Sequence, residues 1–227
     1  MRMDNFDQFA ADYKTILDDS LKLSGEDGTY FAQYKAKYIA RLVGVGFSGK
    51  VLDYGCGIGL LSGAVKEYLP KATVDGYDVS SVSIEKVPAP LKQQGAFTAD
   101  AKMLKADYDL IVVANVLHHI EPANRQGMIA LLKSLLSPMG RLVVFEHNPL
   151  NPVTVKVVRE SPLDRGVVLL PSVETKNYLS HAGLKDAKLD YIVFFPKWLA
   201  ALRWSEHLLR WCPMGAQYAV IGFNKNA

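Results

Sequence analysis

The chain has 227 residues, 49% hydrophobic and 22% charged: apolar material for one large α/β domain, and charge too common for a membrane-embedded chain and too well mixed for disorder. A net charge of +3 without any Lys/Arg block argues against nucleic acid, and two cysteines, Cys56 and Cys212, cannot build a disulfide framework, so a reduced, cytoplasmic setting is expected. The start, Met1-Arg2-Met3-Asp4-Asn5-Phe6, has no apolar signal segment, and no apolar run is long enough to span a bilayer.

In chain order, Phe6, Phe9, Tyr13 and Ile16 share one helical face behind Asp4, a suitable N-cap. Ser24-Gly25-Glu26-Asp27-Gly28 breaks that helix. A second begins near Thr29, carries Tyr30, Tyr34, Tyr38 and Leu42, and closes at Gly44, Gly46 and Gly49. Tyr38 reads as core. For Tyr13 and Tyr34, core packing and a place over a ligand stay equally open, because a buried hydroxyl needs a partner.

Val51-Leu52-Asp53-Tyr54 is then a short apolar strand carrying an acid near its end, and Gly55-Cys56-Gly57-Ile58-Gly59 a tight turn. Leu60, Leu61, Ala64, Val65 and Tyr68 follow at helical spacing. Alternate glycines remove the Cβ atoms that would keep a ligand off the backbone, and the helix start behind them offers unpaired N–H groups. Further strands are predicted at 72–78, 95–99, 109–114 and 142–146. Helices are predicted at 80–87 and from Pro122, with a turn at Pro138-Met139-Gly140. Alternating strands and helices imply right-handed βαβ units and a parallel sheet.

Residues 147–171 break the rhythm with Pro149, Pro152, Pro162 and Pro171, and read as an insert with a short helix over the site. A helix at 172–181 stops at Gly183. Strands at 188–195 and 217–223 pair antiparallel around a basic, Trp-containing helix at 196–211. The expected fold is a seven-stranded doubly wound sheet, mostly parallel with an antiparallel last strand and helices on both faces. It forms one domain: a helical cap (1–47), a ligand-binding core (48–146), the insert (147–171) and the C-terminal part of the sheet (172–227).

Ligands of open parallel sheets sit beyond the carboxyl ends of the strands. Those ends carry Asp53 with the glycine turn, Asp78, Asp100, Asn115 with His118 and His119, and Glu146-His147-Asn148. A dinucleotide fingerprint fits the turn poorly, with Ser62 where its last glycine would stand, and no phosphate-loop lysine follows. A ligand with an amino group, a ribose and a flat base suits acids at the first three strand ends.

Val51 to Gly59 resembles the first motif of class I S-adenosylmethionine-dependent methyltransferases. Asp78 after Val74-Asp75-Gly76-Tyr77 is similar to their acidic second-strand end, Asp100 to the acid near the adenine, and residues 109–120 to the fourth-strand motif. The stretch Phe6-Asp7-Gln8-Phe9-Ala10-Ala11-Asp12-Tyr13 looks like the leading helix of small-molecule members. The resemblance implies S-adenosylmethionine as cofactor and S-adenosylhomocysteine as product. It implies that Asp53 and the Gly55, Cys56 and Gly57 backbone hold the methionine moiety, with Tyr13 closing over it. Asp78, followed by Val79, would take the ribose hydroxyls, Asp100 and Ala101 the adenine amino group, and Asn115 the region near the sulfonium. An acid buried at a strand end otherwise needs a paired cation, and none is adjacent in sequence to Asp53 or Asp78. For Asp100, a helix N-cap is the rival role.

Methyl transfer needs an aligned, unprotonated nucleophile. His118 or His147 is the expected base or acceptor-orienting group, and one of His118 and His119 is expected to be a packed, structural residue. Adjacent histidines seldom reach one ion, and no spaced His-x-x-x-His pattern occurs, so no metal is expected. No Asn-Pro-Pro-Tyr or Asp-Pro-Pro-Tyr follows the fourth strand, so a nucleic-acid substrate is disfavoured and a small-molecule acceptor, methylated on oxygen or nitrogen, is expected. The helix at 196–211 could rest on a membrane surface or grip an apolar or lipid-linked acceptor, though packing on the sheet is its expected role. An NAD-binding oxidoreductase and a non-catalytic cofactor-binding subunit are the alternatives.

Overall fold

The computed structural model describes residues 13–224. The expected Asp4 cap and the Phe6–Phe9 face lie outside them, as does the Tyr13 side chain; the first described helix is α1 (Tyr13–Ser20). Helix α2 (Gly28–Val43) starts where Asp27 Oδ1 accepts the Tyr30 N–H at 2.8 Å and stops at Gly44, whose φ is +90°. Of the residues that α2 buries, Gly28, Ala32, Lys35, Ala36 and Ile39 form one stripe at helical spacing, flanked by buried Tyr38 and Ala40.

The sheet contains β1 (Lys50–Tyr54), β2 (Thr73–Tyr77), β3 (Phe97–Thr98), β4 (Tyr108–Ala114), β5 (Leu136–His147), β6 (Lys185–Ile192) and β7 (Gln217–Phe223), in the order β3-β2-β1-β4-β5-β7-β6. Pairings from β3 across to β5 are parallel; β7 runs antiparallel to both β5 and β6. Strand β4 is apolar on both faces because both are covered. Leu110 and Val112 pack with α2 and α3 (Leu60–Tyr68) on one side. Ile111 and Val113 pack on the other side against Met128, Ile129 and Leu132 of α6 (Pro122–Leu135) and Leu179 of α8 (Ser172–His181). Two short helices, α4 (Ser81–Glu85) and α5 (Ala89–Lys92), lie between β2 and β3.

The predicted turn at Pro138-Met139-Gly140 is instead a bulge inside β5. Tyr108 pairs with Leu136 and Leu110 with Arg141, so the extra residues of β5 bow out of the ladder. Proline has no N–H to give the ladder, and a Cβ on Gly140 would come within 2.7 Å of the Tyr108 carbonyl oxygen. Strand β6 begins and ends three residues earlier than predicted, and Val193 just beyond it has φ +60°.

The expected helix at 196–211 is a 3₁₀ run, Lys197–Leu208, interrupted at Leu199. It does not bury its aromatic side. Trp198, Trp204 and Trp211 are 76%, 72% and 77% exposed, and the run is anchored by polar groups. Glu206 accepts the Tyr34 hydroxyl at 2.6 Å and the Phe194 and Phe195 N–H groups at 3.1 Å, while Arg203 meets Glu26 at 2.8 Å. Among the described residues no helix is long and apolar enough to cross a membrane.

The insert forms α7 (Pro152–Glu160), capped by Asn151, and a 3₁₀ turn, Pro162–Asp164, against which α1 lies.

Candidate functional site

All parallel strands deliver their carboxyl ends to one edge. At the head of β1 the Gly55 and Cys56 N–H groups both donate to the Tyr77 carbonyl, at 2.7 and 3.0 Å, folding the glycine turn back over β2. Gly55 has φ +81°, and a Cβ there would fall 2.3 Å from Val116 Cγ2, so only glycine fits. A Cβ on Gly57 would meet nothing within 4 Å: the turn faces open space. Asp78 Oδ2 accepts the Gly57 N–H at 2.8 Å and its Oδ1 accepts the Ser80 N–H at 2.9 Å, which places the second-strand acid directly on the turn, beside Val79. The Cys56 thiol is buried, and burial pushes its pKa up.

Asp53 is 3% exposed and accepts the Ser62 hydroxyl at 2.6 Å. Burial raises its pKa to about 6, against the Ser62 hydrogen bond. A cation whose field acts on Asp53 comes from outside the sheet. Lys35, only 5% exposed on the buried stripe of α2, lies in the field of both Asp53 and Glu146. Burial lowers its pKa to about 8 despite those carboxylates. Sequence reading missed Lys35; its signal is a charged residue at an apolar position of a 28-32-35/36-39 stripe.

Asn115 follows β4 with φ +57°, and its N–H donates to the Phe145 carbonyl. Its side-chain Oδ1 is buried with no partner among the described residues, a costly state unless a ligand donates to it. Gln217 Oε1 is in the same condition on β7, in register opposite His147; sequence gave no signal for it. Asp100 is exposed at the end of β3, where its Oδ1 caps the 3₁₀ turn Ala101–Met103 through the Lys102 N–H. The rival capping role is therefore realised there. Asp100 and Ala101 stand at the sheet's outer margin, beyond the Asp53–Asp78 pair.

The histidines form one cluster. His118, 2% exposed, presses Nδ1 against Glu146 Oε2 at 2.5 Å, and Glu146 Oε1 accepts the Leu117 N–H at 2.7 Å. The other ring nitrogen, Nε2, lies 3.3 Å from Asp164 Oδ1, and His119 Nε2 lies 3.4 Å from the same oxygen. The His118 ring centroid is 4.1 Å from that of His119 and 5.2 Å from that of His147. Burial opposes charge on His118, yet Glu146 and Asp164 together outweigh it and raise its pKa to about 9. Burial and the His118 charge lower His119 and His147 to about 4. Asp164 comes from the insert, far from the histidines in sequence, and was not anticipated.

A profile described as a methyltransferase domain matches residues 52–142. An uncharacterised methyltransferase of Mycobacterium tuberculosis is 31% identical over 97 residues, covering 41% of this chain and 48% of that protein. The chain spans between about a quarter and a half of the length of the curated relatives it matches. Among solved structures, an S-adenosylmethionine-dependent methyltransferase of Thermotoga maritima superposes with a TM-score of 0.68 at 15% identity, over 99% of this chain and 100% of that one. A magnesium protoporphyrin IX methyltransferase of Synechocystis, solved with bound S-adenosylhomocysteine, gives 0.60 at 16% identity over 90% of this chain and 85% of that one.

Proposed function

We propose that this chain, which belongs to the class I S-adenosylmethionine-dependent methyltransferase family, transfers the methyl group of that cofactor to an oxygen or nitrogen of a small-molecule acceptor. The observation that carries the reading is the open space over Gly57, whose N–H is held by the Asp78 carboxylate, with the buried Asp53 at the end of β1 and the unpartnered Asn115 Oδ1 on the neighbouring strand end. Bound there, the cofactor supplies a methyl already activated by a sulfonium.

Each group then has a task. Asp78 accepts from the ribose hydroxyls while holding the turn through Gly57. Asp53 holds the cationic amino group, and Lys35 suits the cofactor carboxylate. Asn115 Oδ1 takes a donor near the reacting end. Asp100 and Ala101 offer the adenine contact from the sheet margin. His147, whose burial keeps a ring nitrogen unprotonated at neutral pH, orients the acceptor and receives its proton; Gln217, with its unpartnered Oε1, stands opposite it in register on β7. His118, already protonated between two carboxylates, positions the cluster rather than acting as base. The exposed tryptophans favour an apolar or lipid-carried acceptor over a fully polar one.

Calorimetric titration with S-adenosylhomocysteine and with NAD separates this reading from an oxidoreductase. S-adenosylhomocysteine is expected to bind and NAD is not; NAD binding without S-adenosylhomocysteine binding refutes the proposal. Turnover of an acceptor panel, lost in His147→Gln with cofactor affinity retained, separates an enzyme from a non-catalytic subunit.

A further inference from the structure

We infer that His118, His147 and Asp164 form a site for one divalent transition-metal ion of the zinc type, with Glu146 as the outer carboxylate that orients His118. The site includes His147, the proposed acceptor-orienting residue, and rests on that reading for its role, but not for its existence.

The candidate ligand atoms of these three residues all lie within 4.8 Å of one another. A tetrahedral ion with bonds of about 2.0–2.1 Å sets its ligand atoms about 3.3 Å apart. His118 Nε2 and Asp164 Oδ1 already stand at 3.3 Å, and His119 Nε2, 3.4 Å from the same oxygen, marks the side from which a fourth donor could come. The second shell is built as well. Glu146 Oε2 takes the Nδ1 side of His118 at 2.5 Å and is itself fixed through Oε1 by the Leu117 N–H, so Nε2 is the nitrogen left to coordinate, an incoming ion displacing its proton to solvent. A carboxylate behind a ligating imidazole is the usual device for fixing a metal-bound ring. Two imidazoles and one carboxylate suit zinc or ferrous iron and do not suit magnesium or calcium, which prefer all-oxygen shells.

Sequence spacing argued for no metal because, among His118, His119, Glu146 and His147, it offers an adjacent histidine pair and no spaced His-x-x-x-His. The third element is Asp164, carried in by the insert. Three protein ligands leave a coordination position open, where an acceptor oxygen or nitrogen could be held and its O–H or N–H polarised. In the loaded site the His147 lone pair would be held by the ion, which would orient the acceptor in its place, the acceptor's proton being lost to solvent water on coordination.

The test uses the full, tag-free chain, stripped with chelator and titrated with Zn²⁺, with Mg²⁺ as comparison. Co²⁺ loading, read by visible absorption, reports the geometry. One Zn²⁺ per chain is expected, without comparable Mg²⁺ binding. Glu146→Gln should weaken Zn²⁺ by about 10- to 100-fold, and Asp164→Asn or His147→Gln by more than that. S-adenosylhomocysteine binding and thermal melting of Asp164→Asn, a substitution on a half-buried turn, verify that the variant is folded. Absent stoichiometric Zn²⁺ binding, or equal affinity in folded Asp164→Asn, overturns the inference. If Zn²⁺ does not bind but methyl transfer persists, only the metal site falls. If Zn²⁺ binds and no acceptor is methylated, the metal site stands and the methyl-transfer reading falls.

Discussion

Replacing Asp53 by asparagine tests whether this buried acid is kept for a ligand's cation rather than for the fold. Its carboxyl is 3% exposed, and burial moves its pKa from 3.8 to about 6. That difference corresponds to about 3 kcal/mol lost by the folded chain once both folded and unfolded states are ionised. Between those two values the folded chain holds the proton that the unfolded chain has released. Stability from this group is therefore greatest below pH 3.8, falls as pH rises to about 6, and is flat above. About 2 kcal/mol of the loss falls between roughly pH 4.5 and 7.5. Asparagine titrates in neither state and keeps an oxygen for the Ser62 hydroxyl. Asp53→Asn should thus gain on the wild type by about 2 kcal/mol across that interval, read by urea unfolding of the cofactor-free chain at both pH values. A difference independent of pH refutes the burial argument. The same variant should bind S-adenosylhomocysteine at least about tenfold more weakly, since a cationic amino group loses its charged partner. A more stable apoprotein that binds less is the expected mark of an acid held for a ligand.

Asp78→Ala should weaken S-adenosylhomocysteine at least about tenfold through loss of a charge-assisted contact, and unchanged affinity in calorimetry refutes the ribose role. Gly55→Ala forces a Cβ to 2.3 Å from Val116 at a positive φ and should cost at least about 2 kcal/mol in denaturant unfolding. Gly57→Ala meets no protein atom within 4 Å, so it should cost only the left-handed strain of about 1–2 kcal/mol while sharply weakening S-adenosylhomocysteine. Equal losses of binding and stability in the two variants would contradict the open face of the turn. Tyr38→Phe removes the 2.7 Å hydrogen bond to buried Asp190 and should lower stability by about 1–3 kcal/mol; an unchanged unfolding midpoint argues against a structural role for that pair. Co-flotation with anionic vesicles, lost when Trp198 and Trp204 become alanine, is expected if the aromatic face meets lipid, and no flotation of the wild type discards that role.

The local chemistry was legible because it is written in short stretches. Short apolar runs and helical spacing located β1, β4, β7, α3 and α6, and the glycines at 55, 57 and 59 announced a turn that backbone geometry then required. Proline punctuation misled at 138–140, since a bulge satisfies the same residues without ending the strand. The 196–211 segment misled because amphipathic spacing does not say which face finds a partner: Glu206 and Arg203 anchor it, and the tryptophans face outward.

The sequence by itself determined the parallel sheet, its ligand edge and the acids lining it, because strand ends in such a sheet converge whatever the loops do. Only the tertiary structure decided that buried Lys35 from α2 lies in the field of Asp53 and Glu146, and that Asp164 from the insert joins the histidine cluster at His118 and His119. Those groups are brought together by chain segments far apart in sequence. Their mutual charges, and hence which histidine holds a proton, exist only after burial has removed the water between them.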